Sequence, residues 1–137
     1  MKIAIDISQI VYGTGVSNYT ANLVRHLLKI DKRNQYILFG TSLRQRHKLD
    51  KFKKSLGIYE NVTYKFRLLP PTLFEILTNR LRILSVEKLI GQEVDVFHSS
   101  DWTQPKVKSK NTKKVTTIHD MTVYLFPSSF DPKIIKT

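Results

Sequence analysis

The feature that most limits what this chain can fold into is an alternation: short β-branched runs separated by longer segments of helical periodicity, from the first residues onward. Lys2 to Ile7 is a strand-length run ending in turn chemistry. Gly13-Thr-Gly15-Val-Ser then opens a helical pattern with Tyr19, Leu23, Val24, Leu27, Leu28 and Ile30 expected on one face. Gln35 to Gly40 reads as a second strand, Leu43 to Leu56 as a basic helix stopped by Gly57, and Val62 to Leu68 as a third strand. A third helix is expected after Pro71 on Leu73, Phe74, Leu77, Leu81, Leu84 and Ile90. Val94 to His98 and Val115 to His119 supply two more strands around a lysine-rich connection. Strands joined through helices must run parallel with right-handed crossovers. The expected fold is therefore α/β, a Rossmann-like doubly wound parallel sheet with strand order 3-2-1-4-5. A loop through Pro127 and Pro132 then leads to Lys133-Ile-Ile-Lys-Thr137, which reads as the first turn of a helix. Residues 1–137 are thus expected to form a single domain, incomplete at the C-terminus.

Composition narrows the function classes. A chain of 137 residues, 41% hydrophobic, can bury one core. Lys plus Arg outnumber Asp plus Glu by 23 to 11, a net charge of +12 that favours anionic partners. With no cysteine there is no disulfide scaffold, thiolate zinc site or thiol redox chemistry, which fits a reducing compartment. Asp6 interrupts the first apolar run too early for an export signal, and Glu75, Arg80, Arg82, Glu87 and Lys88 break the later run from Leu73 to Ile90. The expected location is cytoplasmic.

In open α/β sheets ligands bind beyond the carboxyl ends of the strands where the order reverses, here between the first strand and the fourth and fifth. Asp6 near the first strand's end, His98 with Ser99 and Ser100 at the fourth's, and His119 with Asp120 at the fifth's should share one crevice. Asp6 reads first as a carboxylate accepting N–H bonds from the following loop, and second as a ligand contact. His98 either lines the pocket or satisfies its ring within the fold. His119 can offer a hydrogen bond or a positive charge to a reacting sugar or phosphate; its bland alternative is a turn in which Asp120 caps local donors. Gly13 and Gly15 let backbone approach a ligand at a helix start that favours anions. Asn18 stands where a dinucleotide fingerprint needs its third glycine, so nicotinamide or flavin binding ranks low. No metal-ligand spacing, Asp-x-Asp motif or serine elbow is present.

Two basic clusters stand apart from the crevice: Arg44, Arg46, Lys48, Lys51, Lys53 and Lys54, and then Lys106, Lys108, Lys110, Lys113 and Lys114. Solvated surface is their commonest meaning. The first accompanies Leu49, Phe52 and Leu56 in a basic amphipathic pattern compatible with peripheral docking on an anionic membrane surface. Nucleic acid ranks lower, because no aromatic stacking positions interleave with the charges.

Three stretches in order, Lys2-Ile-Ala-Ile-Asp6 leading into Gly13-Thr-Gly-Val-Ser-Asn-Tyr-Thr-Ala-Asn-Leu23, then Asp95-Val-Phe-His-Ser99, then Val115-Thr-Thr-Ile-His-Asp120 followed by Phe126-Pro127, resemble family-4 glycosyltransferases of the GT-B fold. The resemblance implies the acceptor-side layer of a two-domain, retaining transferase. A nucleotide-sugar donor would be held by a second, similar layer absent from this chain, and a glycan or lipid-linked acceptor of the cell envelope by this one. It also implies that Gly13 and Gly15 approach the donor phosphates or reacting sugar, that His119 lines the cleft as a catalytic group, and that neither metal nor resident cofactor is needed. Asp6, Asn18, His98, Ser99 and Asp120 are the expected cleft or acceptor residues. The alternative is a non-catalytic basic α/β module for nucleic acid or an anionic membrane.

Overall fold

Strand residues alternate between two apolar layers, and that alternation builds the molecule. The computed structural model describes residues 1–70, 73–74, 76–100 and 104–129. Its strands are β1 (Lys2–Asp6), β2 (Gln35–Thr41), β3 (Val62–Arg67), β4 (Val96–Ser99) and β5 (Lys113–Thr116). All neighbours pair in parallel in the order β3-β2-β1-β4-β5, as the alternation predicts. Ile5, Tyr36 and Leu38 point into one layer with Val24, Leu28, Leu49 and Phe52; Ala4, Ile37, Phe39 and Phe97 point into the other with Phe74, Val86 and Ile90. Covering both faces of a parallel sheet is what its nearly unbroken apolar strands require.

Helix α1 (Gly15–Ile30) begins in a capping box: the Thr14 hydroxyl accepts the Ser17 N–H at 3.4 Å and Ser17 Oγ accepts the Thr14 N–H at 3.0 Å. Its buried stripe is Ser17, Thr20, Ala21, Val24 and Leu28. Tyr19 and Ile30, expected on the core face, are instead exposed (41% and 76%). Each helical residue turns about 100°, so a stripe set by 17, 20, 21, 24 and 28 leaves positions 19 and 30 outside it. Helix α2 (Arg46–Leu56) starts later than its periodicity suggests, because Ser42 Oγ accepts the Gln45 N–H and holds residues 42–45 in a turn. Leu49 and Phe52 are buried and Leu56 packs against the same cluster. The apolar stripe of α2 is therefore taken up by the core.

The single third helix is corrected too. Its expected start at Pro71 lies outside the described residues, as do Pro132 and Lys133–Thr137. Residues Ile76–Arg80 form a π-type turn, followed by a break and a short helix, α3 (Val86–Ile90). The Thr78 carbonyl accepts the Lys106 N–H instead of continuing a helical ladder, the Leu81 N–H reaches back to Ile76, and Arg82 takes a left-handed φ of 52°. A distant strand connection therefore interrupts the helix. Buried Glu87 in α3 ties down the same connection, accepting the Lys108 N–H at 2.8 and 3.0 Å and the Ser109 N–H at 3.1 Å.

Strands four and five are shifted from their predicted spans. β4 runs to Ser99, and β5 ends at Thr116, so His119 lies in the loop beyond the strand rather than at its end. After the Thr117 N–H bonds to Ser99 O, the His119 side chain occupies the next carbonyl, that of Ser100, so the ladder stops. A single turn, α4 (Thr122–Leu125), follows. No helix among the described residues is long and apolar enough to cross a membrane.

Candidate functional site

The carboxyl ends of β1, β4 and β5 are joined by side-chain bonds. Ser100 Oγ donates to the Asp6 carbonyl at 2.9 Å, fixing the end of β4 against the end of β1. Asp6 Oδ1 accepts the Ser8 N–H at 2.8 Å and the Ser8 hydroxyl at 2.6 Å. Ser8 Oγ in turn accepts the Thr41 N–H at 2.9 Å. Asp6 thus shapes the turn after β1, the first of its two sequence readings. That turn, Ser8–Tyr12, ends at Gly13 with φ of 69°. Ser17 Oγ donates to the Gln9 carbonyl at 2.6 Å, anchoring the start of α1 to the turn. A side chain at Gly13 or Gly15 would meet nothing within 4 Å, so both open onto free space.

His98 is buried in β4, and its Nε2 lies 2.9 Å from Thr117 Oγ1. The same hydroxyl is 3.3 Å from the Tyr19 hydroxyl. Among the described residues His98 Nδ1 has no hydrogen-bond partner. Burial, and then the nearby His119, lower the His98 pKa, so the ring is neutral near pH 7. His119 Nε2 donates to the Ser100 carbonyl at 3.1 Å, which leaves Nδ1 as the ring's other polar atom. The Tyr19 ring packs edge-on against this imidazole, with centroids 4.9 Å apart.

Of the expected site residues, Asp6, His98 and His119 converge at the β1–β4–β5 end, with Gly13 and Gly15 opening α1 beside them. Ser99, the last residue of β4, is buried there. Asn18 lies in the first turn of α1 with an exposed side chain. Asp120 takes the bland reading: its Oδ1 accepts the Thr122 N–H at 2.7 Å and the Thr122 hydroxyl, bonds that lower its pKa. Tyr19 and Thr117 were missed by sequence reasoning. Tyr19 was placed in the core, although its position in the second turn of a helix starting at the glycine loop was a usable signal; Thr117 carried none.

The arrangement brings a neutral buried imidazole, an exposed imidazole and a glycine-flanked helix start to one end of the sheet. No group of three or more His, Cys, Asp or Glu that could hold a metal occurs among the described residues. An open depression at the opposite, amino end is lined by Lys2, Arg33, Glu93 and Asp95. Its Asp95 is occupied in accepting the Lys2 N–H at 2.7 Å, and it lies at the end of the sheet where such folds do not bind ligands. No protein-family model, curated protein or solved structure matches this chain.

Proposed function

We propose that the chain is the acceptor-side layer of a retaining glycosyltransferase, passing a sugar from a nucleotide donor to a glycan or lipid-linked acceptor of the cell envelope, with the donor held by a second layer. The observation that carries this reading is the position of His119. Its Nε2 bond to Ser100 and the Tyr19 ring hold the imidazole over the crevice, next to the helix that Gly13 and Gly15 open. In such a reaction the bond from sugar to diphosphate breaks as the acceptor hydroxyl attacks from the same face. The acceptor's proton would leave with the departing diphosphate, and the amides at the start of α1 would stabilise the negative charge developing there; His119, whose Nε2–H is committed to Ser100, would add to this as imidazolium, through Nδ1–H. Neither a metal nor a resident cofactor enters this scheme.

The reading as a basic nucleic-acid module draws less support, since several cations serve the fold. Lys48 donates to the Val11 carbonyl at 2.6 Å, Lys32 covers the Tyr59 ring, Lys53 covers Tyr64 and Arg25 covers Phe52.

The test is amide NMR of the full chain titrated with short oligosaccharides, the acceptor class this layer would hold, and with a single-stranded oligonucleotide. Shifts confined to residues 13–18, 98 and 119 with an oligosaccharide, lost in His119→Ala, support the reading. Shifts spread over the lysine clusters with the oligonucleotide alone would replace it by the basic-module reading.

A further inference from the structure

The carboxyl edge of the sheet carries a second surface, which begins at Tyr12 beside Gly13 and runs toward β3. Strands β3, β2 and β1 are adjacent and parallel, so the loops that follow them leave the same edge side by side. Each presents a large apolar side chain to solvent: Tyr12 after β1 (50% exposed), Leu43 after β2 (52%) and Leu68 after β3 (61%). The Ser42 N–H bonds to the Arg67 carbonyl at 3.2 Å, which sets the Leu43 and Leu68 loops against each other. Interleaved with these residues are exposed Arg44, Arg46 and Arg67, the last donating through Nε to the Leu89 carbonyl at 2.8 Å.

Charge identifies what this crest fits. Among the described residues the nearby carboxylates are engaged: Asp6 bonds Ser8, and Asp50 lies 3.8 Å from Arg46, a pair that offsets both charges and leaves Arg44 and Arg67 as the cations of the rim. Asp31 and Glu60 stand at the amino edge, where α1 ends and β3 is about to begin. A cationic rim around aliphatic side chains matches an anionic bilayer, into which leucine can insert while arginine meets the headgroups. Of the three apolar residues Tyr12 alone offers a ring on which a base could stack, so nucleic acid fits less well. The other exposed apolar stretch at this edge, Ile118, Met121, Tyr124, Leu125 and Phe126, has no Lys or Arg within residues 115–129 and does not match such a surface.

We propose that Tyr12, Leu43 and Leu68, with Arg44 and Arg67, form a docking crest for an anionic lipid bilayer. It replaces the apolar stripe of α2, which the core consumes, and it does not depend on the sugar-transfer reading.

The test is flotation of the full chain with vesicles of phosphatidylcholine alone or mixed equally with phosphatidylglycerol, at about 0.15 M salt, where general charge attraction is damped. Retention is expected on the mixed vesicles alone. Arg44→Ser should weaken it roughly fivefold, and Leu43→Ser with Leu68→Ser roughly tenfold, with circular dichroism unchanged because all three sites are exposed. Retention that ignores lipid charge, or survives the leucine replacements intact, overturns the proposal. So does an oligonucleotide that binds wild type and the leucine variant alike while mixed vesicles bind neither.

Discussion

The Tyr19 ring meets the His119 imidazole edge-on, with centroids 4.9 Å apart and planes at 79°, and so joins α1 to the loop beyond β5. The two residues are a hundred positions apart in sequence, and the contact adds to the Tyr19–Thr117 hydroxyl pair and the His119 bond to Ser100. Tyr19→Phe keeps the ring contact and should leave the loop ordered. Tyr19→Ala removes it, and amide hydrogen exchange over residues 117–121 should speed up several-fold while global stability falls by only about 1 kcal/mol. Unchanged exchange in the alanine variant would show that the Ser100 bond alone holds the loop.

Buried His98 makes stability depend on pH. Its folded pKa lies below the ordinary 6.5, so between the two values the unfolded chain binds more protons than the folded one. The associated stability is complete above pH 6.5 and is lost as pH falls through the lowered folded value. Urea midpoints of the wild type should therefore drop on going from pH 7 to pH 5. His98→Gln should cost roughly 1–2 kcal/mol at pH 7 through lost packing and the Thr117 bond, and should show a shallower drop. Parallel pH profiles for the two proteins would assign the acid sensitivity to other groups.

Two glycines close together in sequence should respond oppositely to a methyl group. Neither meets an obstacle, yet Gly13 has φ of 69° and Gly15 does not adopt a left-handed φ. Gly13→Ala should destabilise by about 1 kcal/mol, from backbone strain alone. Gly15→Ala, at the start of α1, should be neutral or stabilising by up to about 1 kcal/mol. Thermal unfolding decides, and equal losses at both positions would mean that crowding rather than φ controls the loop. A Gly15→Ala protein that is stable yet fails to respond to any oligosaccharide would mark where backbone must approach the ligand.

How much could be read in advance follows from which interactions are local. Five strands and their order were legible because Ile3, Ile5, Ile37, Leu38 and Phe97 sit in runs that only a sheet covered on both faces accommodates. The shift of β5 was not, because Val115 and Ile118 look like core residues but are 46% and 54% exposed at a sheet edge. Nor was the broken third helix, since the Lys106 N–H that takes the Thr78 carbonyl comes from far along the chain. The meeting of Asp6, His98 and His119 was legible from topology, which brings strand ends together whatever their side chains. Tyr19 and Thr117 join through contacts between distant segments, which periodicity does not encode.

Glu87 provides the sharpest test of how α3 is fastened. It is only 8% exposed, and its carboxylate accepts two contacts from the Lys108 N–H and one from the Ser109 N–H. Burial pushes its pKa up, but the backbone bonds outweigh burial and the net shift is downward from 4.5. Because the folded value is depressed, the stability is present above pH 4.5 and is lost as pH falls through the lowered value. Glu87→Gln keeps the shape but trades one acceptor oxygen for an NH2 group facing backbone donors. It should cost about 2 kcal/mol at pH 7 and expose the Lys108 and Ser109 amides to faster exchange. As pH falls through that lowered value the wild-type carboxyl itself takes up a proton, so the gap between the two proteins in urea unfolding should narrow. A gap that stays constant down to the pH at which the folded state is lost would mean that Glu87 acts through packing, and that the connection over residues 106–110 is held by the Val86–Lys106 and Lys106–Thr78 backbone bonds instead.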